Sequence, residues 1–510
     1  MTSTPDHTAT SPELRDQTAS VGRGVASLSL GQAVLMLMGG ALALLMTQFF
    51  GKDDRTDAFF AAYGFYGVAV AFAQSLRLTA LPRLIGLDGE SQASRLLSAT
   101  IVIGGLAAIP MIALAGPLGE LIVDGDPTGR AATTLRELWP TLALQLLAGM
   151  FIAILVVRHV YVVVGALFAI ASAISILGFV LLEPELGLSA VTVGLAMSAL
   201  LLAVGLGAAL LRSGWRFDWT TLPHPRRIIA DGLWLTVASA SAIVLNAGYL
   251  ICVAVASREG TGVATDYAYA FFIIIFLLAT TAMPAAMVRA PRLLNRKGDA
   301  GLTPEDVIAD LRQTLVMLIP AIGVIAVAGV SGIDMLVGSF FSREDSELIV
   351  ELVLALGPWL FASAAGVMVV LEMLNRGLAR RLSAIALVHV LALLACSVVG
   401  VTLLGAIGVA IGQSVAMVVA TLIQLRITFA DRFAGVVASL LREAAIASAV
   451  FAVAFGAASV LVLALSGGLA AAGGASAAGL AVFALLARIA YGREIHALLA
   501  LAASFRGGAR

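Results

Sequence analysis

Charge is what this chain has least of. Asp, Glu, Lys and Arg make up 12% of its 510 residues, about half the share of a soluble domain. An ordinary water-facing surface is thereby excluded. Only Lys52 and Lys297 are lysines. Cysteine is nearly missing too: Cys252 and Cys396 both fall in apolar stretches, so no disulfide framework is expected. The five histidines show no Cys/His spacing of the metal-ligand kind. No G-x-x-x-x-G-K-[ST] loop is present, and ATP hydrolysis by this chain is not expected. Nor does any connection exceed roughly 25 residues, which leaves no place for an extramembrane catalytic domain. No enzyme activity, cofactor, metal or nucleic-acid partner is expected.

What is there is apolar, at 60% of residues. A bilayer-spanning helix needs about 20 such residues and satisfies its own backbone hydrogen bonds. Fourteen segments fit, near 26–50, 59–81, 96–118, 138–157, 160–182, 189–211, 233–256, 267–288, 313–337, 352–374, 382–403, 405–425, 444–466 and 469–490. The expected class is an all-α polytopic membrane protein. Divisions between spans 11 and 12 and between spans 13 and 14 rest on little more than glycine.

Charge is distributed unevenly. Of the 31 Lys and Arg, 24 fall at the termini or in loops after even-numbered spans, among them Arg83, Arg158, Arg292, Lys297 and Arg376. Six fall on the opposite side, where the loops are acidic through Asp124, Asp126, Glu183, Glu185, Glu344, Asp345 and Glu347. The positive-inside rule puts both termini in the cytoplasm and makes the span count even. The polar start, 1–25, lacks a signal-peptide pattern and reads as a disordered cytoplasmic tail.

The first six spans recur in the next six. Thr56-Asp57 and Pro82-Arg83-Leu84 match Thr265-Asp266 and Pro291-Arg292-Leu293 at an offset of 209, as Gly39 and Gly51 match Gly248 and Gly260. Beyond small insertions the offset becomes 218: Pro140, Arg158, Gly187, Val191 and Gly194 match Pro358, Arg376, Gly405, Val409 and Gly412. An even number of spans per unit makes the repeats parallel, with a cleft between them near the midplane. The expected layout is a first half at 26–211, an irregular cytoplasmic linker at 212–232, a second half at 233–428, an extra helix pair at 444–490 and a tail at 491–510.

A duplicated six-helix half, G-x(4)-T-D-A-F-F at Gly51–Phe60, a second span ending P-R-L and two extra C-terminal helices resemble the MurJ/MviN-type lipid II flippases of the multidrug/oligosaccharidyl-lipid/polysaccharide (MOP) exporter superfamily. The resemblance implies a central cationic cavity for a substrate headgroup and a groove along the last two helices for a polyprenyl tail. It implies a lipid-linked oligosaccharide as substrate, membrane lipids and cell-wall synthesis proteins as partners, and a place in the bacterial cytoplasmic membrane. Two family features are missing. The first span, Leu28–Met46, carries no charge where the family has R-x(2)-G-x(2)-R-D, and Val70-Ala71 replace paired basic residues in the second.

Candidate site residues follow from the chemistry of a pyrophosphate-linked sugar, which needs cations, arginine above all. Arg77 is the basic residue set well inside a span, and an intramembrane charge is a functional candidate. Its other reading is a side chain that snorkels to the headgroups about 8 Å away. Arg83, Arg289 and Arg292 could ring the inner mouth of the cleft or simply set topology. Glu372 and Arg376 are spaced i,i+4, which reads as an intrahelical pair or as a coupling relay. Asp57 and Asp266 read as repeat-matched helix caps. Gln32, Gln145, Asn246, His389 and Gln413 are polar groups within spans, suited to hydrogen bonds between helices.

Four functions remain open on the sequence: a flippase for a lipid-linked cell-wall precursor, a cation-coupled multidrug exporter, a membrane glycosyltransferase and a non-transporting envelope-synthesis scaffold. Scarce deep carboxylates weigh against the exporter, and short outer loops weigh against the transferase.

Overall fold

In hydrocarbon a chain this apolar can satisfy its backbone only as helices or a closed barrel. The computed structural model is helical, apart from short turns and connections, over its described residues, which are 30–495 apart from 32, 36, 43–44, 47, 51–53, 85–88, 123–128, 159, 218–223, 261, 283–285, 287–301, 339–340, 465–468 and 493. The expected tail at 1–25 and the end of the chain beyond 495 lie outside them.

After a helical stretch within 30–50 come α1 (Asp54–Thr79), α2 (Leu81–Leu84), α3 (Gly89–Ala113), α4 (Ala115–Ile122), α5 (Arg130–Val157), α6 (Tyr161–Leu186), α7 (Ser189–Arg212), α8 (Pro225–Ala256) and α9 (Val263–Thr280). Then follow α10 (Pro304–Val337), α11 (Arg343–Ala355), α12 (Gly357–Asn375), α13 (Ala379–Phe429), α14 (Phe433–Phe451), α15 (Ala457–Ala464) and α16 (Leu469–Ala490). A π turn, Ala452–Gly456, joins α14 to α15. Each of the fourteen expected spans coincides, wholly or in part, with helical backbone.

Among the described residues, eight helical segments are long and apolar enough to cross a membrane. One of them, Ala379–Val460, has 82 residues. At 1.5 Å per residue that is about 120 Å, several times a hydrocarbon thickness of about 30 Å. The segment therefore folds back on itself. Gly405, with φ 59° and ψ −142°, breaks α13 where the division between spans 11 and 12 was expected, and Ala430 (φ 41°) ends it.

Prolines explain the other breaks. The third expected span is two helices, parted at Leu114, three residues before Pro117. The tenth is likewise parted at Leu356, two residues before Pro358. A proline ring crowds the carbonyl four residues back and donates no hydrogen bond to it. Pro225 acts oppositely. It stands at the first position of α8, where its missing N–H costs nothing, and His224 caps the helix by accepting from the Arg226 amide. The region read as an irregular linker is thus helical from Pro225 onward.

Repeat-matched residues do matching work. Arg158 ends α5 and donates from Nη2 to the Ser213 carbonyl, 2.8 Å away, at the end of α7. Arg376 ends α12 and donates from Nη1 to the Thr428 carbonyl, 3.1 Å away, near the end of α13. Each arginine ties one helix to the far end of the hairpin that follows it. Gly194 and Gly412 sit at close approaches within those hairpins: an added Cβ would meet Ser175 O at 2.5 Å in one and Cys396 backbone at 2.6 Å in the other.

The C-terminal helices are fastened at the basic end of the bundle, the end that carries Arg158 and Arg376. Glu443 of α14 is fully buried and accepts from Arg312 of α10 at 2.7 Å. Past α16, Tyr491 is fully buried and Glu494 lies 3.9 Å from Arg312. Burial, with Glu443 nearby, pushes the Tyr491 hydroxyl up to about 12, so it keeps its proton at neutral pH. The chain expected to leave as a tail at 491 first packs back onto the bundle.

Candidate functional site

Helices from both repeats converge on an interior cavity of about 330 Å³. Its walls come from residues 35–42 and from α1, α5 to α9, α12 and α13, whereas α14 to α16 contribute no lining residue among those described. On α1 the lining stripe includes Tyr63, Val70, Gln74 and Arg77. These sit at i, i+7, i+11 and i+14, one face of a 3.6-residue helix. Repeat-matched pairs line the cavity together: Tyr63 with Phe272, Gln145 with Ser363, and Phe168 with Ala386.

The two repeats differ in charge. Among the described residues that line the cavity, Arg77 is the one that is charged. It is 7% exposed, so the side chain does not extend to the surface as snorkelling requires. Its Nε is buried with no protein hydrogen-bond partner. The guanidinium carbon lies 5.0 Å from the centre of the Phe168 ring, within cation–π range. At the matching positions of the second repeat stand Ala286 and Ala386, so both members of this contact have alanine counterparts.

Aromatic rings crowd the acidic end of the cavity. Phe60 meets Tyr269 at 5.9 Å and Tyr63 meets Phe272 at 6.1 Å, joining α1 to α9 across the repeats. Tyr249 of α8 stacks on Phe271 at 4.9 Å, and Phe271 meets Trp359 of α12 edge-on at 5.6 Å. At the basic end α1 meets α8 through the Thr79 and Ser239 hydroxyls, 3.4 Å apart. Just beyond, Asp231 of α8 accepts from Arg83 of α2 at 3.0 Å and from Arg95 of α3 at 2.7 Å, while Arg83 lies over the Trp234 ring at 3.6 Å.

Arg83 thus belongs to this ion cluster and is not a lining residue. Arg289 and Arg292 lie outside the described residues. Glu372 accepts from Arg376 at 2.7 Å at the basic end of α12, where Arg376 also holds Thr428; neither lines the cavity. Asp57 lies in the first turn of α1, with its side chain outside the described residues. Asp266 was expected to cap α9, but the cap is Gly262, without a side-chain bond, because the turn needs its left-handed φ of 88°. Asp266 sits inside the first turn, buried, where the helix dipole favours a carboxylate.

Among the polar residues picked from the spans, Gln145 lines the cavity and donates to the Tyr66 hydroxyl at 3.4 Å. His389 also lines it. Its Nδ1 lies 3.2 Å from the Ala416 carbonyl, which can only accept, so a neutral ring carries its proton there. Gln413 lies outside the lining and accepts from Tyr267. The side chains of Gln32 and Asn246 are outside the described residues. Sequence reasoning missed Phe168, Tyr249, Trp359, Ser363 and Gln424 in the cavity, and Asp231 below it. Asp231 carried a usable signal, an acid at the end of the basic linker expected at 212–232.

No family model matches this sequence, and no curated protein does. Solved structures do match. The lipid II flippase MurJ in an inward closed conformation superposes with a TM-score of 0.67 at 16% identity, over 92% of this chain and 99% of that one. A MATE transporter in the straight conformation gives 0.60 at 14% identity, over 82% and 96%. An inward-facing multidrug resistance MATE family transporter of the MOP superfamily gives 0.59 at 15%, over 81% and 98%. At these identities the likeness concerns the backbone, and the chain has the all-α polytopic fold shared by the MurJ flippase and the MATE transporters.

Proposed function

We propose that this chain is an alternating-access transporter that flips a lipid-linked cell-wall precursor, lipid II or another polyprenyl-pyrophosphate glycan, from the cytoplasmic to the outer leaflet of the bacterial cytoplasmic membrane. The observation that carries the reading is Arg77: a buried guanidinium with no carboxylate beside it among the described residues, on a cavity wall whose other described lining residues are uncharged. A cation so placed costs several kcal/mol in an apolar setting and is suited to an anionic ligand. Its planar fork matches phosphate oxygens. Side-chain contacts join the two repeats at either end of the cavity, and rocking of one repeat against the other would break them in turn. An exporter of cations would want a carboxylate on the cavity wall, and none is among the described lining residues. Membrane lipids and cell-wall synthesis proteins are the partners this role implies.

The test is depletion of the protein in its host, with lipid-linked precursors quantified by leaflet and headgroup. Accumulation of one precursor on the cytoplasmic side, reproduced by Arg77→Ala at normal protein level, is the expected result. Unchanged pools with new sensitivity to cationic drugs would overturn it in favour of an exporter. If neither pools nor drug sensitivity changes, a scaffold role replaces it.

A further inference from the structure

We infer that the wall of this cavity built by α8, α12 and α13 is a second, uncharged subsite that holds the hydroxyl-rich part of the cargo, while Arg77 holds its anionic part. The inference rests on the cavity being the cargo site. Four lining side chains carry it. Trp359 Nε1, Ser363 Oγ, Gln424 Oε1 and Tyr249 Oη are all buried without a protein hydrogen-bond partner. Buried polar groups are normally satisfied, and each one left bare is costly. Four of these lie on this wall, whereas Ser175 Oγ is the one such neutral atom among the described lining residues of the first repeat.

Their placement is ordered. Trp359, Ser363 and Gly366 stand at i, i+4 and i+7 on α12, one stripe about 10 Å long. A Cβ on Gly366 would lie 3.3 Å from Gln424 Oε1, so any larger residue would crowd the amide oxygen that the glycine leaves uncovered. At the other end Tyr249 and Trp359 are braced through Phe271 between them. The matching positions of the first repeat lack this set: Gln424 corresponds to Leu206, and Ser363 to Gln145, which already bonds Tyr66.

The donor and acceptor types narrow the ligand. The indole N–H only donates, the amide oxygen only accepts, and the two hydroxyls do both. Charge is absent from this wall. A carboxylate placed here would meet the Gln424 oxygen with no cation to balance it, and an ammonium would meet no carboxylate. Sugar hydroxyls, which donate and accept at each oxygen, match every member of the set. The cargo is therefore anionic at one end only, with a neutral glycan beyond.

Binding to the full chain in nanodiscs tests this with three probes: bare polyprenyl pyrophosphate, the same lipid carrying a neutral disaccharide, and the same lipid carrying a uronic-acid disaccharide. The wild type is expected to hold the neutral disaccharide lipid tightest. Gln424→Met and Ser363→Ala should each weaken that lipid roughly five- to tenfold, the effect of one hydrogen bond, and leave the bare pyrophosphate unchanged. Arg77→Gln should weaken both. Trp359→Phe keeps a ring and removes the N–H, and serves if either smaller variant fails to fold. Equal loss for both lipids, no loss for either, or equal binding of the uronic-acid probe would overturn the inference while leaving the transporter reading in place. Failure of the wild type to bind any probe would overturn both.

Discussion

Gly187 and Gly405, 218 positions apart, hold nearly the same backbone geometry: φ 54° and ψ −132° in one, φ 59° and ψ −142° in the other. Each joins two helices of a hairpin by a turn that residues with a Cβ adopt only under strain. Nothing stands within 4 Å of a Cβ at Gly187, so Gly187→Ala isolates the backbone cost, about 1–3 kcal/mol. Gly405→Ala should cost more, because its Cβ would also lie 3.1 Å from the Glu259 carboxylate. Thermal unfolding in detergent checks both. An unchanged melting temperature for Gly187→Ala would mean that this turn is not the strained one the geometry describes.

The same glycine pair marks what sequence alone makes legible. Apolar runs dictate helices because hydrocarbon allows little else, and a glycine needed for one backbone shape leaves its trace in both repeats. Arg77 was legible for a similar reason, since charge inside an apolar run is rare. Trp359, Ser363 and Gln424 were not. Tryptophan, serine and glutamine within spans look like ordinary packing, and their shared lack of partners exists only once α12 and α13 are side by side. Asp231 was hidden differently: Pro223 and Pro225 read as loop, although Pro225 starts a helix. The capping role given to Asp266 failed because Gly262 supplies a left-handed turn that no side-chain signal announces.

Closure at the basic end is open to direct test. The Thr79 and Ser239 hydroxyls are 3.4 Å apart and join α1 to α8, one from each repeat. Cysteines at both positions, with Cys252 and Cys396 replaced by alanine, should form a disulfide on mild oxidation, since bonded sulfurs need side chains at about this separation. Transport in proteoliposomes should then stop and return on reduction. Full cross-linking with undiminished transport would show that α1 and α8 stay together throughout the cycle, and that the cavity does not open between them.

Arg77 separates function from stability in sign. A guanidinium 7% exposed, with a buried Nε that has no partner, gains only a cation–π contact with Phe168 against its loss of hydration. Arg77→Met keeps an unbranched chain and removes the charge, so the variant should be as stable as the wild type or more stable by up to about 2 kcal/mol. Its transport should fall at least tenfold, the worth of one charge-assisted contact or more. Arg77→Lys, with charge but no fork, should fall between. Melting temperature and flipping rate, measured on the same preparations, decide the matter. A variant that loses stability and transport together would make Arg77 a packing residue, whereas gain in one with loss in the other places it at the cargo.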